Sequence, residues 1–148
     1  MTRHSISLGM AAAAFALLNL TACSAATDAT IAQLNLRGAW NYVGNESGHA
    51  TSSVGTLTLS QDSTVRFSGT LDANETDDHG LVRRVLAVVS GRTIDATLVD
   101  FDVVVDPTIT RRHTGSARGD SLTGNWIEVS STGIAASGTF RAHRVHAQ

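Results

Sequence analysis

From about residue 34 to the C-terminus, apolar and polar residues alternate with period two, broken by turn residues about every 8–12 positions. Successive side chains of a strand point to opposite faces, so this pattern suits strands with one dry face and one wet face. No segment there carries a helical period with caps, so the expected fold class is all-β. The first strand is the clearest. Leu34, Leu36, Gly38, Trp40 and Tyr42 share one face, and Asn35, Arg37 and Asn41 share the other.

Turn chemistry divides the rest. Gly44 to Gly48 reads as a loop, and Gly55–Leu59 and Val65–Gly69 flank the hairpin turn Ser60-Gln61-Asp62-Ser63. Asp72 to Gly80 reads as an acidic loop. Leu81–Val89 and Arg92–Val99 are expected to join through Ser90-Gly91. The apolar phase then changes between Leu98 and Val99, which a bulge or turn near Asp100 would explain. Thr108–Ala117 and Ser121–Val129 flank Arg118-Gly119-Asp120, and a last strand puts Ile134, Ala136, Gly138, Phe140 and Ala142 on one face. The count is eight, or nine if 101–105 stands alone. Short connections favour an antiparallel meander, and eight strands close into an up-and-down barrel. A two-sheet β-sandwich is the alternative.

The N-terminus gives an address. Arg3 and His4 precede an apolar run from Ile6 to Leu20, too short for a stable bilayer span and laid out like a secretory signal. The run ends Leu20-Thr21-Ala22-Cys23, which resembles the lipobox of bacterial lipoproteins: an aliphatic residue, two small ones, then cysteine. That resemblance implies cleavage between Ala22 and Cys23 and acylation of Cys23. It also implies a membrane held through the N-terminal lipid, since two or three acyl chains attach durably where one does not. In that family an inner-membrane protein usually carries Asp after the cysteine. Ser24 here therefore implies the outer membrane if the host is Gram-negative. The alternative is ordinary cleavage at Ser24-Ala25-Ala26. The expected organisation is a signal peptide over 1–22, a lipid-anchored tether over 23–33 and a β-barrel domain over 34–148. Cys23 is the only cysteine, so the domain has no internal disulfide.

A second resemblance lies in the first strand. Gly38-Ala39-Trp40 is similar to the Gly-x-Trp of calycins, the superfamily of lipocalins and avidins, and Trp40-Asn41-Tyr42-Val43-Gly44 is similar to the avidin start. In lipocalins the tryptophan closes one barrel end beneath an arginine of the last strand, which implies Gly38, Trp40 and Arg144 as barrel-closing residues. Avidins line their pocket with several tryptophans, whereas only Trp126 follows Trp40 here.

Several chemistries find no support. The net charge is −2, without the basic face that nucleic acid requires. All eleven basic residues are arginine, which removes lysine Schiff bases and the P-loop. Asp72, Asn74, Thr76, Asp77, Asp78 and His79 fail as a calcium loop, because Asp77 stands at the sharp-turn glycine position and Arg83 at the bidentate glutamate position. His143 and His146 would face opposite ways on a strand, and His49 and His113 have no evident partners, so no metal is expected. Gly115-Ser116-Ala117-Arg118-Gly119 lacks the spacing of a nucleophile elbow. Arg118-Gly119-Asp120 is explained by its turn. Arg83-Arg84 and Arg111-Arg112 are each expected to split between faces as isolated exposed charges. No cofactor motif is present.

The resulting expectation is a non-enzymatic, membrane-anchored envelope lipoprotein whose barrel binds a small apolar or amphipathic ligand. Trp40, Tyr42, Phe67 and Trp126 are the candidate contacts. The alternative is a structural or protein-interaction lipoprotein with a filled barrel, an envelope accessory subunit or an inhibitor. A hydrolase using serine and histidine comes third.

Overall fold

The computed structural model describes residues 34–146. The expected signal segment, Cys23 and the tether lie outside them. Eight strands follow one another: β1 (Gly38–Glu46), β2 (Ser52–Gln61), β3 (Arg66–Thr76), β4 (Val82–Thr93), β5 (Leu98–Asp106), β6 (Ile109–Arg118), β7 (Ser121–Ser130) and β8 (Gly133–Arg144). Each pairs antiparallel with the next, and β8 returns to β1 with Trp40 opposite Arg144 and Gly44 opposite Phe140. The sheet is a closed eight-stranded barrel, neither a sandwich nor a nine-stranded sheet. Closure removes the free edges that short strands would otherwise present.

Inward positions are even in β1, β7 and β8 and odd in β2 to β6, as the alternation dictates. Leu36, Trp40, Leu57, Val89, Val99, Val103 and Ala142 have no exposed surface. The turns at 62–65, 94–97 and 119–120 gather at one end, here the lower end. Those at 47–51, 77–81, 107–108 and 131–132 gather at the upper end. The stretch before β1 folds across the lower end as a plug. Leu36 is buried there, its carbonyl accepts the Trp40 indole N–H at 3.0 Å, and its amide donates to Gln61 Oε1 at 3.2 Å.

Several expectations about turns are corrected: Gly44, Asn45 and Glu46 belong to β1 and Ser60 and Gln61 to β2, so the turns fall at 47–51 and 62–65. Ser90-Gly91 is not a turn but part of β4, opposite Ser68-Phe67 on β3 and Asp102-Phe101 on β5. Gly91 is there because a Cβ would stand 2.5 Å from both Phe101 Cβ and Phe67 Cζ, so only glycine admits these rings. The turn comes later, where Asp95 Oδ1 accepts the amides of Thr97 and Leu98 at 2.7 Å each. The expected bulge or turn near Asp100 is thus a turn, set earlier at 94–97, and Asp100 itself pairs regularly within β5. A register shift does occur on β5, but between Val104 and Asp106 where it pairs with β6. The acidic loop is also shorter than expected. Residues 72–76 continue β3, and Asp77 holds the turn by accepting the amides of His79 and Leu81 at 2.9 and 2.8 Å.

Candidate functional site

The four candidate ligand contacts do not meet around one chamber. Trp40 lies at the lower end, wholly buried, with the Arg144 guanidinium carbon 4.3 Å from its ring centroid. Arg144 also donates to the carbonyls of Arg37 and Asn35 and pairs with Asp120 at 3.1 Å, so it ties the plug to the barrel rim. A Cβ at Gly38 would meet this arginine at 3.3 Å. Phe67 packs against Phe101 with centroids 6.1 Å apart. Only Tyr42 and Trp126 border a common space, beneath the upper end.

Aromatic rings fill the middle of the barrel. Phe101 stacks on His113 at 4.5 Å, Phe140 meets Phe101 edge-on at 5.5 Å, and Tyr42 stacks on Phe140 at 6.2 Å. His113 is 1% exposed, and burial pushes its pKa down to about 3. Its Nδ1 lies 3.1 Å from the carbonyl of Arg111, which can only accept, so Nδ1 carries the proton. Nε2 then accepts from the Tyr42 hydroxyl at 3.1 Å. Burial drives the Tyr42 pKa upward, so the phenol stays protonated as this donor.

Above this pair sits an ion cluster. Arg111 donates to Glu128 at 2.8 Å and to both carboxylate oxygens of Glu75 at 2.9 and 3.3 Å, and its guanidinium carbon is 5.2 Å from the Trp126 ring. Burial raises the Glu75 pKa, but the Arg111 bonds outweigh it and leave that pKa below the ordinary value. Arg111 is thus a paired, buried charge, not the isolated exposed one expected, and His113 does have partners. Both follow from parity. With Ala117 inward on β6, Arg111 and His113 must point inward too. The space left between Tyr42, Ser53, Arg111 and Trp126 is about 10 Å³, room for about one water. Among the described residues the Ser53 hydroxyl, buried there, has no hydrogen-bond partner.

A larger concavity lies outside. On the wall of β3 to β6, outward residues of adjacent strands, together with the inward-facing Phe67, Gly91, Phe101 and His113 beneath them, border a groove of about 650 Å³. In register the outward residues form two rows, Arg66–Arg92–Asp100–Thr114 and Ser68–Ser90–Asp102–Arg112. The ion pairs within it are long, 3.8 Å for Arg92–Asp100 and 3.9 Å for Arg112–Asp102, and Asp100 Oδ1 is shielded with no partner among the described residues. Directly above, Val88 and Val104 face each other across β4 and β5, and Leu86 continues the patch. These three are 64%, 40% and 68% exposed. The remaining candidates stay local. Arg83 reaches Glu75 and Arg84 grips Asp72 through two bonds, while His143 contacts Ser121 and His146 contacts Asp120.

No protein-family model matches the chain, and no curated protein does. Solved structures share its fold. A fluorescence-activating β-barrel designed de novo superposes with a TM-score of 0.62 at 16% identity, covering 78% of this chain and 98% of that one. EF1p2_mFAP2b bound to DFHBI gives 0.60 at 15% identity, covering 74% and 94%. The redesigned barrel mFAP1 bound to DFHBI gives 0.56 at 12% identity, covering 74% and 94%. At these identities the likeness is one of fold.

Proposed function

We propose that this chain is a lipid-tethered binding module of the bacterial envelope, without catalytic activity of its own, that recognises its partner through the outer wall of β4 and β5. One contrast carries this reading. The space beneath the upper end, between Tyr42 and Trp126, is about 10 Å³, while a groove of about 650 Å³ opens on the wall of β3 to β6 beside an exposed apolar patch. An apolar patch bordered by charges suits a protein or amphipathic surface. The N-terminal lipid expected at Cys23 would hold the barrel at the membrane.

A photo-crosslinking residue at Val88 in the full chain, expressed in its envelope, tests the reading. Asn41, outward on β1 across the barrel, serves as the control site. One discrete envelope adduct from Val88 and none from Asn41 is the expected result. Equal labelling from both sites, or none from Val88, contradicts it. The intact mass of the same membrane-extracted protein should match a chain beginning at an acylated Cys23.

A second reading keeps a small ligand at the upper end. It is favoured by the unpartnered Ser53 hydroxyl beside Tyr42 and Trp126, and by the fold shared with barrels that hold DFHBI. Such a ligand must displace Arg111 from its carboxylates. A saturable change in tryptophan emission on adding DFHBI, abolished by Ser53→Leu, would support this reading over the first.

A further inference from the structure

In the lower corner of the outer groove, Arg66 and Arg92 stand directly opposite each other on β3 and β4, both exposed. Like charges facing across a strand pair are destabilising, with Cβ atoms only about 5 Å apart. Neither is well neutralised. Among the described residues Arg66 has no ion pair, and Arg92 has only Asp100 at 3.8 Å. The nearby Asp62 already accepts the Ser68 hydroxyl at 3.2 Å. Ser90, opposite Ser68 and one outward step above Arg92, has a hydroxyl that makes no side-chain bond among the described residues. The strand ends are fixed. Thr93 N–H donates to the Val65 carbonyl at 2.8 Å, and its hydroxyl donates to the Thr64 carbonyl at 3.1 Å.

An unpaired guanidinium at Arg66, a guanidinium at Arg92 with only a long ion pair, and a hydroxyl at Ser90 stand together on a pinned strand pair, a set of donors that suits one tetrahedral oxyanion. The geometry points to a phosphate-binding site at Arg66, Arg92 and Ser90. The corner adjoins the turn at 62–65, and Ser63 and Thr64 share a cleft with Leu34, the first described residue. The site therefore lies at the end where the chain enters the barrel from its N-terminal side. If the N-terminal lipid is present, a phospholipid headgroup is one source of such a phosphate. A soluble phosphate compound offers the same oxygens. This inference rests on the outer wall being the recognition surface, yet it can fail alone, since crosslinking from Val88 does not depend on these arginines.

The test uses the full chain with Cys23→Ser, so that no acyl chain contributes, and compares it with Arg66→Gln, Arg92→Gln and Arg84→Gln variants. Arg84 is an exposed outward arginine of the same strand, already held by Asp72. Inorganic phosphate should raise the thermal midpoint. The apparent affinity should fall about tenfold or more in Arg66→Gln and in Arg92→Gln, as expected for losing charge-assisted bonds, and stay unchanged in Arg84→Gln. A parallel arm measures co-sedimentation with phosphatidylglycerol and phosphatidylcholine vesicles. Loss of phosphatidylglycerol binding in the same two variants sustains the site and assigns it to a headgroup. Unchanged vesicle binding with a lost phosphate response sustains it for a free solute. A phosphate response that survives both substitutions, that Arg84→Gln weakens equally, or that is absent along with vesicle binding overturns it.

Discussion

A neutral histidine at the centre of a small barrel ties stability to pH. The folded His113 pKa of about 3 lies below the ordinary 6.5, because burial disfavours the imidazolium. The unfolded chain therefore binds the extra proton. This contribution is complete above pH 6.5 and is lost as pH falls toward 3, at up to about 1.4 kcal/mol per pH unit. Glu75 acts in the same direction at lower pH, since its folded pKa is also depressed. Urea unfolding across pH 7 to 4 should show the midpoint falling steadily, and a flat profile would show that His113 titrates normally. Tyr42→Phe removes the donor to Nε2 and should cost about 1–3 kcal/mol. Tyr42→Phe with His113→Leu should cost less than the sum of the two single changes, as measured by a double-mutant cycle.

The strands were legible where apolar parity ran unbroken. The face holding Leu36, Gly38, Trp40 and Tyr42 is the inward face of β1 and its lead-in, and Gly138, Phe140 and Ala142 point inward on β8. Ser90-Gly91 misled because serine and glycine are also turn residues, and nothing local distinguishes a turn glycine from one that clears a path for rings on neighbouring strands. The same long-range dependence hid Arg111 and His113. Their inward direction follows from parity, but Glu75, Glu128 and Tyr42, which satisfy them, come from β3, β7 and β1. The outer groove was not legible at all, because it depends on cross-strand register over four strands. Gly91→Val tests the strand assignment. Its side chain would overlap Phe67 and Phe101, so it should cost about 1–3 kcal/mol in chemical denaturation, the range for overpacking. A turn position free of contacts would show little change.

Considered whole, the molecule is a barrel closed at both ends, and the proposed recognition surface lies on its outside. The lower end is closed by Leu36, Trp40 and Arg144, the middle by stacked rings, and the upper end by Arg111 between two glutamates. Xenon measures this most directly, since it enters dry apolar cavities and is indifferent to surface charge. Under pressure, the 129Xe shift of the wild-type protein should show no saturable bound component, while Phe101→Ala, which empties the ring stack, should create one. A saturable interior xenon site in the wild type would contradict a filled barrel and return the search for a ligand to its inside.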